Sequence, residues 1–243
     1  MIAGFIITGN VSKAVVIRGL GPSLSSSGMP GSSVLADPII ELRNSSGTLL
    51  AKNDNWKDDQ RSLIEGTIYQ PSDDRESVIL STLAPGAYTA IIKGVGNTTG
   101  VGLIEVYDND QAADAQLANI STRGFVQTSE NVMIGGFILG NTTGNSRVAV
   151  RGLGPSLASF GLSNLLADPT LELHNSSGTT MISNDDWESD AVSAAQLIAN
   201  GLAPSNPKES GIFTSLPPGA YTAILAGKNS GTGVGLIEIY NLK

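Results

Sequence analysis

The sequence predicts an all-β chain: two homologous antiparallel β-sandwich modules in tandem, of the jelly-roll or immunoglobulin-like kind. Three observations carry this. An ordered set of motifs occurs twice at a nearly constant offset. The β-branched segments are short and bounded by turn residues. Helical character is confined to one stretch per half, which allows each module at most one short helix.

The duplication is the strongest of these. Arg18-Gly-Leu-Gly-Pro-Ser-Leu24 returns as Arg151-Gly-Leu-Gly-Pro-Ser-Leu157, and Leu35-Ala-Asp-Pro38 as Leu166-Ala-Asp-Pro169. Asn44-Ser-Ser-Gly-Thr48 returns at Asn175, and Asn53-Asp-Asn-Trp56 as Asn184-Asp-Asp-Trp187. Pro85-Gly-Ala-Tyr-Thr-Ala90 returns at Pro218, and Thr99-Gly-Val-Gly-Leu-Ile-Glu105 at Thr232. The domains follow: module 1 over 1–107, a linker over 108–116, and module 2 over 117–243, opening with a strand-like stretch at 117–126. Module 1 shows no such leading strand.

In module 1 the strands are read at Ile2–Thr8, Ala14–Arg18, Ile39–Arg43, Thr48–Lys52, Ser77–Leu83, Ala87–Lys93 and Gly102–Tyr107. Ser46-Gly47 and Ser177-Gly178 supply hairpin turns, and Pro85-Gly86 and Pro218-Gly219 set up the strands that carry Tyr88 and Tyr221. Asp190–Asn200, with Ala191, Ala194, Leu197 and Ile198 before Gly201, reads as a helix; Asp58–Gly66 is its fainter counterpart. Trp56 and Trp187 are expected at the core edge. The apolar start, Met1-Ile-Ala-Gly-Phe-Ile-Ile-Thr, has no basic flank and reads as a strand rather than a signal peptide.

The 243 residues carry 22 acidic and 14 basic side chains, a formal charge of −8, no cysteine and one histidine. That balance argues against nucleic-acid partners and anionic membranes, and nothing approaches the ~20 apolar residues of a membrane-inserted helix. Without cysteine there is no disulfide framework and no thiol nucleophile. Abundant Ser, Thr, Asn and Gly suits an extracellular or cell-surface bacterial protein.

Together, Leu117-Ala-Asn-Ile-Ser-Thr-Arg-Gly-Phe125, Arg-Gly-Leu-Gly-Pro-Ser-Leu, Ala-Asp-Pro, Asn-Asp-x-Trp, Pro-Gly-Ala-Tyr-Thr and Gly-x-x-Glu-x-Tyr resemble a module found in tandem in large secreted bacterial proteins. The second half also resembles the bacterial pre-peptidase C-terminal sandwich. The resemblance implies a non-catalytic appendage for display, adhesion or assembly, with calcium bound in some relatives.

The acidic loops are the first candidate site. Asn53, Asp54 and Asp59 recur as Asn184, Asp185 and Asp190, and Glu76 and Glu209 stand beside Ser77 and Ser210. Clustered hard oxygens suit Ca²⁺, so these eight residues form a candidate metal set; the alternative is that the Asn and Asp side chains shape turns and cap the helix. The Gly-x-Gly loops break the dinucleotide pattern at Pro22 and Pro155, so they read as tight bends with Arg18 and Arg151 paired to carboxylates. Asp37, Asp54 and Glu76 could in principle hydrolyse a glycoside, and Trp56 or Trp187 could bind a glycan, but no catalytic constellation recurs. The lone His174 is replaced by Arg43 in module 1 and reads as an outward strand residue. Asn-x-Ser/Thr triplets at Asn10, Asn44, Asn97, Asn119, Asn141 and Asn175 are candidate glycan acceptors. The function expected is a non-enzymatic structural or adhesive module, with a carbohydrate-binding module as the alternative. The partners expected are copies of itself, assembled head to tail by a donated strand involving Leu117, Ile120 and Phe125.

Overall fold

The structure, a computed structural model, describes residues 1–129, 131–140 and 144–242. The chain divides into two compact units, Met1–Ala118 and Asn119–Lys243. Each is an antiparallel β-sandwich with its own core.

In unit 1, β1 (Ile2–Gly9), β6 (Gly86–Gly94), β3 (Pro38–Asn44) and β4 (Leu49–Asn53) pair in that order. The facing sheet is β5 (Ser77–Leu83), β2 (Lys13–Leu20) and β7 (Leu103–Asp108). Phe5, Ile7, Val15, Ile17, Ile40, Leu42, Ile79 and Ile92 fill the space between the sheets. β2 is buried on both faces: Val15 and Ile17 point to that core, while Val16 points outward onto Trp56. This second layer is covered by α1 (Arg61–Ile64), whose Ile64 packs on Trp56 and Val78. The tryptophans are therefore not at the core edge. Trp56 is 1% and Trp187 7% exposed, each the centre of a smaller core between a sheet and a helix.

Unit 2 repeats the plan. One sheet is β9 (Met133–Leu139), β14 (Gly219–Gly227), β11 (Pro169–Asn175) and β12 (Thr180–Asn184). The other is β13 (Ser210–Leu216), β10 (Ser146–Leu153), β15 (Gly233–Leu242) and β8 (Ala115–Val126). α2 (Ala191–Ala199) covers Trp187 through Ala194 and Leu197. Asp190 starts it, its carboxylate accepting from the N–H groups of Val192 (3.0 Å) and Ser193 (3.3 Å). Among the described residues each unit has one short α-helix, as the sequence predicts.

Within 108–116, the segment read as a linker, Asp108, Asp110 and Ala115 pack on unit 1. The Lys13 ammonium, 1% exposed, binds Asp108 at 2.8 Å and the Asp110 carbonyl at 2.7 Å. Ala115, the first residue of β8, is buried in the unit 1 core, and Leu117 packs against it. The remainder of β8 completes unit 2, where Ile120 and Val126 join the core. Phe125 is 54% exposed, on the outward face.

Candidate functional site

Each Arg-Gly-Leu-Gly-Pro-Ser loop ends on a buried glutamate. Gly21 N–H and Ser23 N–H both donate to Glu76 Oε1 at 2.9 Å, and the Ser23 hydroxyl donates at 2.6 Å. Gly154, Ser156 and Glu209 repeat this with the same three distances. Both glutamates are fully buried. Convergent N–H groups are what a carboxylate taken out of water needs. The second glycine of the loop is dictated by packing: a Cβ on Gly21 would lie 2.0 Å from the Leu35 carbonyl oxygen, and one on Gly154 as close to that of Leu166. The loop is thus a receptor for a carboxylate of its own chain.

The arginines opening these loops are paired, as the sequence predicts. Arg18 Nε donates to Glu105 at 2.6 Å and Arg151 Nε to Glu238 at 2.9 Å. Each guanidinium also lies 5.5 Å from the ring centre of Tyr107 or Tyr240. Burial, with the adjacent glutamate, pushes both phenols up to about 12.

The acidic loops separate into several jobs. Asn53 Oδ1 accepts from Val78 N–H at 2.9 Å, and its amide donates to the Asn55 carbonyl at 3.0 Å and to Asp59 at 3.3 Å. Asn184 accepts from Gly211 N–H at 2.8 Å and donates to the Asp186 carbonyl and the Ser189 hydroxyl. Asp190 caps α2. The carboxylates expected around a cation, Asp54, Asp59 and Glu76 in one module and Asp185, Asp190 and Glu209 in the other, form no cluster within 4.8 Å among the described residues. Among the described residues, the acidic group whose oxygens lie within 4.8 Å of one another is Asp168, Asp185 and Asp186. Asp168 comes from the Leu-Ala-Asp-Pro motif, whose recurrence in both modules was the signal that could have placed it here.

Four aspartate oxygens in this region have a common property. Asp37 Oδ1 and Asp54 Oδ1 in unit 1, and Asp168 Oδ1 and Asp185 Oδ1 in unit 2, are buried with no hydrogen-bond donor. Burial, then the charge of Asp54, raises the Asp37 carboxyl above its ordinary value. In unit 2 the Lys228 ammonium sits 2.6 Å from Asp185 Oδ2. Unit 1 has Val95 at the corresponding place, fixed by the same backbone bond: Val95 N–H donates to the Asp37 carbonyl and Lys228 N–H to that of Asp168, both at 2.9 Å.

Ser23 and Ser156 donate to glutamate, and the two nitrogens of His174 face the Gly178 carbonyl and Glu172. A surface cavity of about 220 Å³ beside β4 and β5, lined in part by Asn53, Asp59 and Gln60, is smaller than an ordinary ligand pocket. Asn44 and Asn175 accept from the N–H groups of their own turns, and Asn119 is buried and donates to the Ile239 carbonyl at 3.0 Å. Asn141 lies outside the described residues. No helix among the described residues is long and apolar enough to cross a membrane.

No protein-family model matches the sequence, and no curated protein matches it. The likeness to pre-peptidase C-terminal sandwiches therefore stands on the motifs alone. Among solved structures, the chain is similar to a candidate secreted protein from Eubacterium rectale, at 11% identity over 98% of this chain and 68% of that one, with a TM-score of 0.24. It is also similar to a chain from the Sulfolobus Turreted Icosahedral Virus, at 11% identity over 98% and 85%, TM-score 0.29. The major capsid protein P2 from Bacteriophage PM2 matches at 8% identity over 100% and 93%, TM-score 0.25. Likeness this remote carries no argument about function.

Proposed function

We propose that the chain is a non-enzymatic structural segment of an extracellular bacterial assembly built from repeated β-sandwich modules. The observation that carries this reading is where the duplicated residues go. Glu76 and Glu209 are held by their loops, Arg18 and Arg151 by strand carboxylates, Asn53 and Asn184 by strand N–H groups, and both tryptophans are buried. What the two modules share is a scaffold; among the described residues, no exposed set of reactive side chains recurs with it. Burial also removes Trp56 and Trp187 as platforms for a sugar ring. A panel of polysaccharide, peptide and ester substrates is expected to show no turnover by the full chain. Hydrolysis of any of them that survives repeated purification would overturn the reading.

Divalent-cation binding is a second reading, favoured by the donor-free aspartate oxygens. A buried carboxylate oxygen without a donor is costly, and paired hard oxygens suit Ca²⁺. In unit 2 the Lys228 ammonium already lies on Asp185, so unit 1, through Asp37 and Asp54, is the place where calcium would act. Binding to the folded state alone would add about 2.7 kcal/mol at a hundredfold excess over Kd. The melting temperature should rise with calcium, fall back with EDTA, and lose this response in Asp54→Asn. An unchanged melt at millimolar calcium would discard this reading.

A further inference from the structure

The two units differ along one sheet edge. In unit 2, β8 lies antiparallel on β15, with Ile120 opposite Ile239, Thr122 opposite Ile237, Gly124 opposite Gly235 and Val126 opposite Gly233. Val126 is fully buried and lies where it limits Gly235: a Cβ there would come within 3.2 Å of the Val126 side chain. In unit 1 the corresponding strand, β7, pairs with β2 on one side, and no strand pairs with its outer edge among the described residues. The consequence shows residue by residue. Gly233, Gly235 and Ile239 are buried, whereas Gly100 is exposed and Gly102 and Val106 are half-buried. Ile237 is 1% exposed and Ile104 9%; Leu103 is 39% exposed.

The opposite edge of the same sheet is already closed. On β5, Val78 N–H donates to Asn53 Oδ1, and the Gln60 amide both accepts from Leu80 N–H at 2.8 Å and donates to the Leu80 carbonyl at 2.9 Å. Side chains thus occupy the β5 edge, while β7 offers backbone groups and a gap over an apolar interior. The acceptor sequence is also the same in both places: Thr99-Gly-Val-Gly-Leu-Ile-Glu105 is identical to Thr232-Gly-Val-Gly-Leu-Ile-Glu238. The surface that β15 presents to β8 is written a second time on β7.

We propose that the outer edge of β7 is a docking site for an extended polypeptide segment of the Ile-x-Thr-x-Gly-x-Val pattern of Ile120–Val126, donated by another module of this kind. The strand adds antiparallel, its Ile, Thr, Gly and Val opposite Val106, Ile104, Gly102 and Gly100. Gly102 stands where Gly235 leaves room for the inward Val in unit 2, while Gly100 and Gly233 are kept small by the backbone at Val34–Leu35 and Leu165–Leu166. An Asn before the Ile donates to the Val106 carbonyl, as Asn119 donates to Ile239. Main-chain bonds supply affinity, and the alternate inward side chains supply selectivity. The proposal deepens the structural reading and rests on it.

The test uses the full chain and a synthetic peptide of the Leu117–Val132 sequence. One-to-one saturable binding is expected, with amide exchange at Leu103–Asp108 slowed at least tenfold and exchange along β15 unchanged. A peptide carrying Ile120→Asp and Val126→Asp should bind at least tenfold more weakly. No binding at millimolar peptide, or protection that appears elsewhere than β7, would overturn the proposal. So would a β7-mediated dimer of the chain that the peptide leaves intact, which would make a whole second copy the occupant. Turnover in the substrate panel would instead sink the structural reading while leaving the peptide result to stand or fall separately.

Discussion

In unit 2 the strand ending the module is sandwiched between β10 and β8, whereas in unit 1 the corresponding strand, β7, has β2 on one side and, among the described residues, no strand on the other. The helices differ in parallel: α2 has nine residues and a carboxylate cap, α1 has four and no side-chain cap. Both modules nonetheless bury a tryptophan and hold a glutamate in a Gly-Leu-Gly-Pro-Ser loop with matching geometry. The comparison separates what the fold requires from what it tolerates. The loop and its glutamate recur with the same three distances because the two backbone N–H groups and the hydroxyl converge on one buried oxygen, Oε1, whereas helix length and edge coverage vary without displacing the core.

The largest expected effect follows from that distinction. Glu76→Ala or Glu209→Ala removes one acceptor from three donors, two of them backbone N–H groups that cannot turn away. Leaving such groups buried and unpaired costs about 3 kcal/mol or more. The two variants should be similarly destabilised. Each unit holds one tryptophan, so denaturant melts in Trp56→Phe and Trp187→Phe backgrounds report the units separately. A loss below about 1 kcal/mol in either unit would show that the loop does not depend on its glutamate.

A smaller difference is expected where the units diverge. Asp190→Ala deletes a helix cap that accepts from two N–H groups and should cost unit 2 about 1 kcal/mol. Asp59, its counterpart, accepts only a 3.3 Å bond from Asn53, so Asp59→Ala should cost unit 1 less than about 0.5 kcal/mol. Equal losses would mean that the shorter helix relies on a cap of the same kind.

Local chemistry was legible in the sequence, and distant pairing was not. The seven strands of unit 1 lie where β-branched runs end at turn residues, with boundaries within about two residues. Asn44 and Asn175 shape their hairpins, and Tyr88 and Tyr221 donate to the carbonyls of Ala84 and Pro217 beside their Pro-Gly turns. Each of those relations spans four residues. Glu76, by contrast, meets its loop 53 to 55 residues away, and its position beside an acidic loop invited a metal reading. The burial of the tryptophans was missed for a related reason. A second core between sheet and helix needs β2 to be apolar on both faces, and an alternating pattern cannot reveal that.

The smallest effect is a pH response confined to unit 2. Arg43 and His174 occupy matching positions: Arg43 donates to Glu41 and to the Gly47 carbonyl, and the His174 ring faces Glu172 at 2.9 Å and the Gly178 carbonyl at 3.0 Å. Both ring nitrogens face acceptors, so both are satisfied only when the ring is the doubly protonated imidazolium. The Gly178 carbonyl first, and Glu172 after it, raise the His174 pKa despite a desolvation cost. A raised folded value means that this tether stabilises fully below the unfolded pKa of about 6.5 and is lost as pH climbs through the folded value. Arg43 keeps its charge throughout, so unit 1 should show no matching change. His174 is the single histidine of the chain, so one imidazole resonance gives the titration directly. The midpoint should lie above 6.5, and His174→Arg should flatten the stability of unit 2 across that window. A midpoint at or below 6.5 would mean that the ring is held neutral, with one of its two acceptors left without a proton.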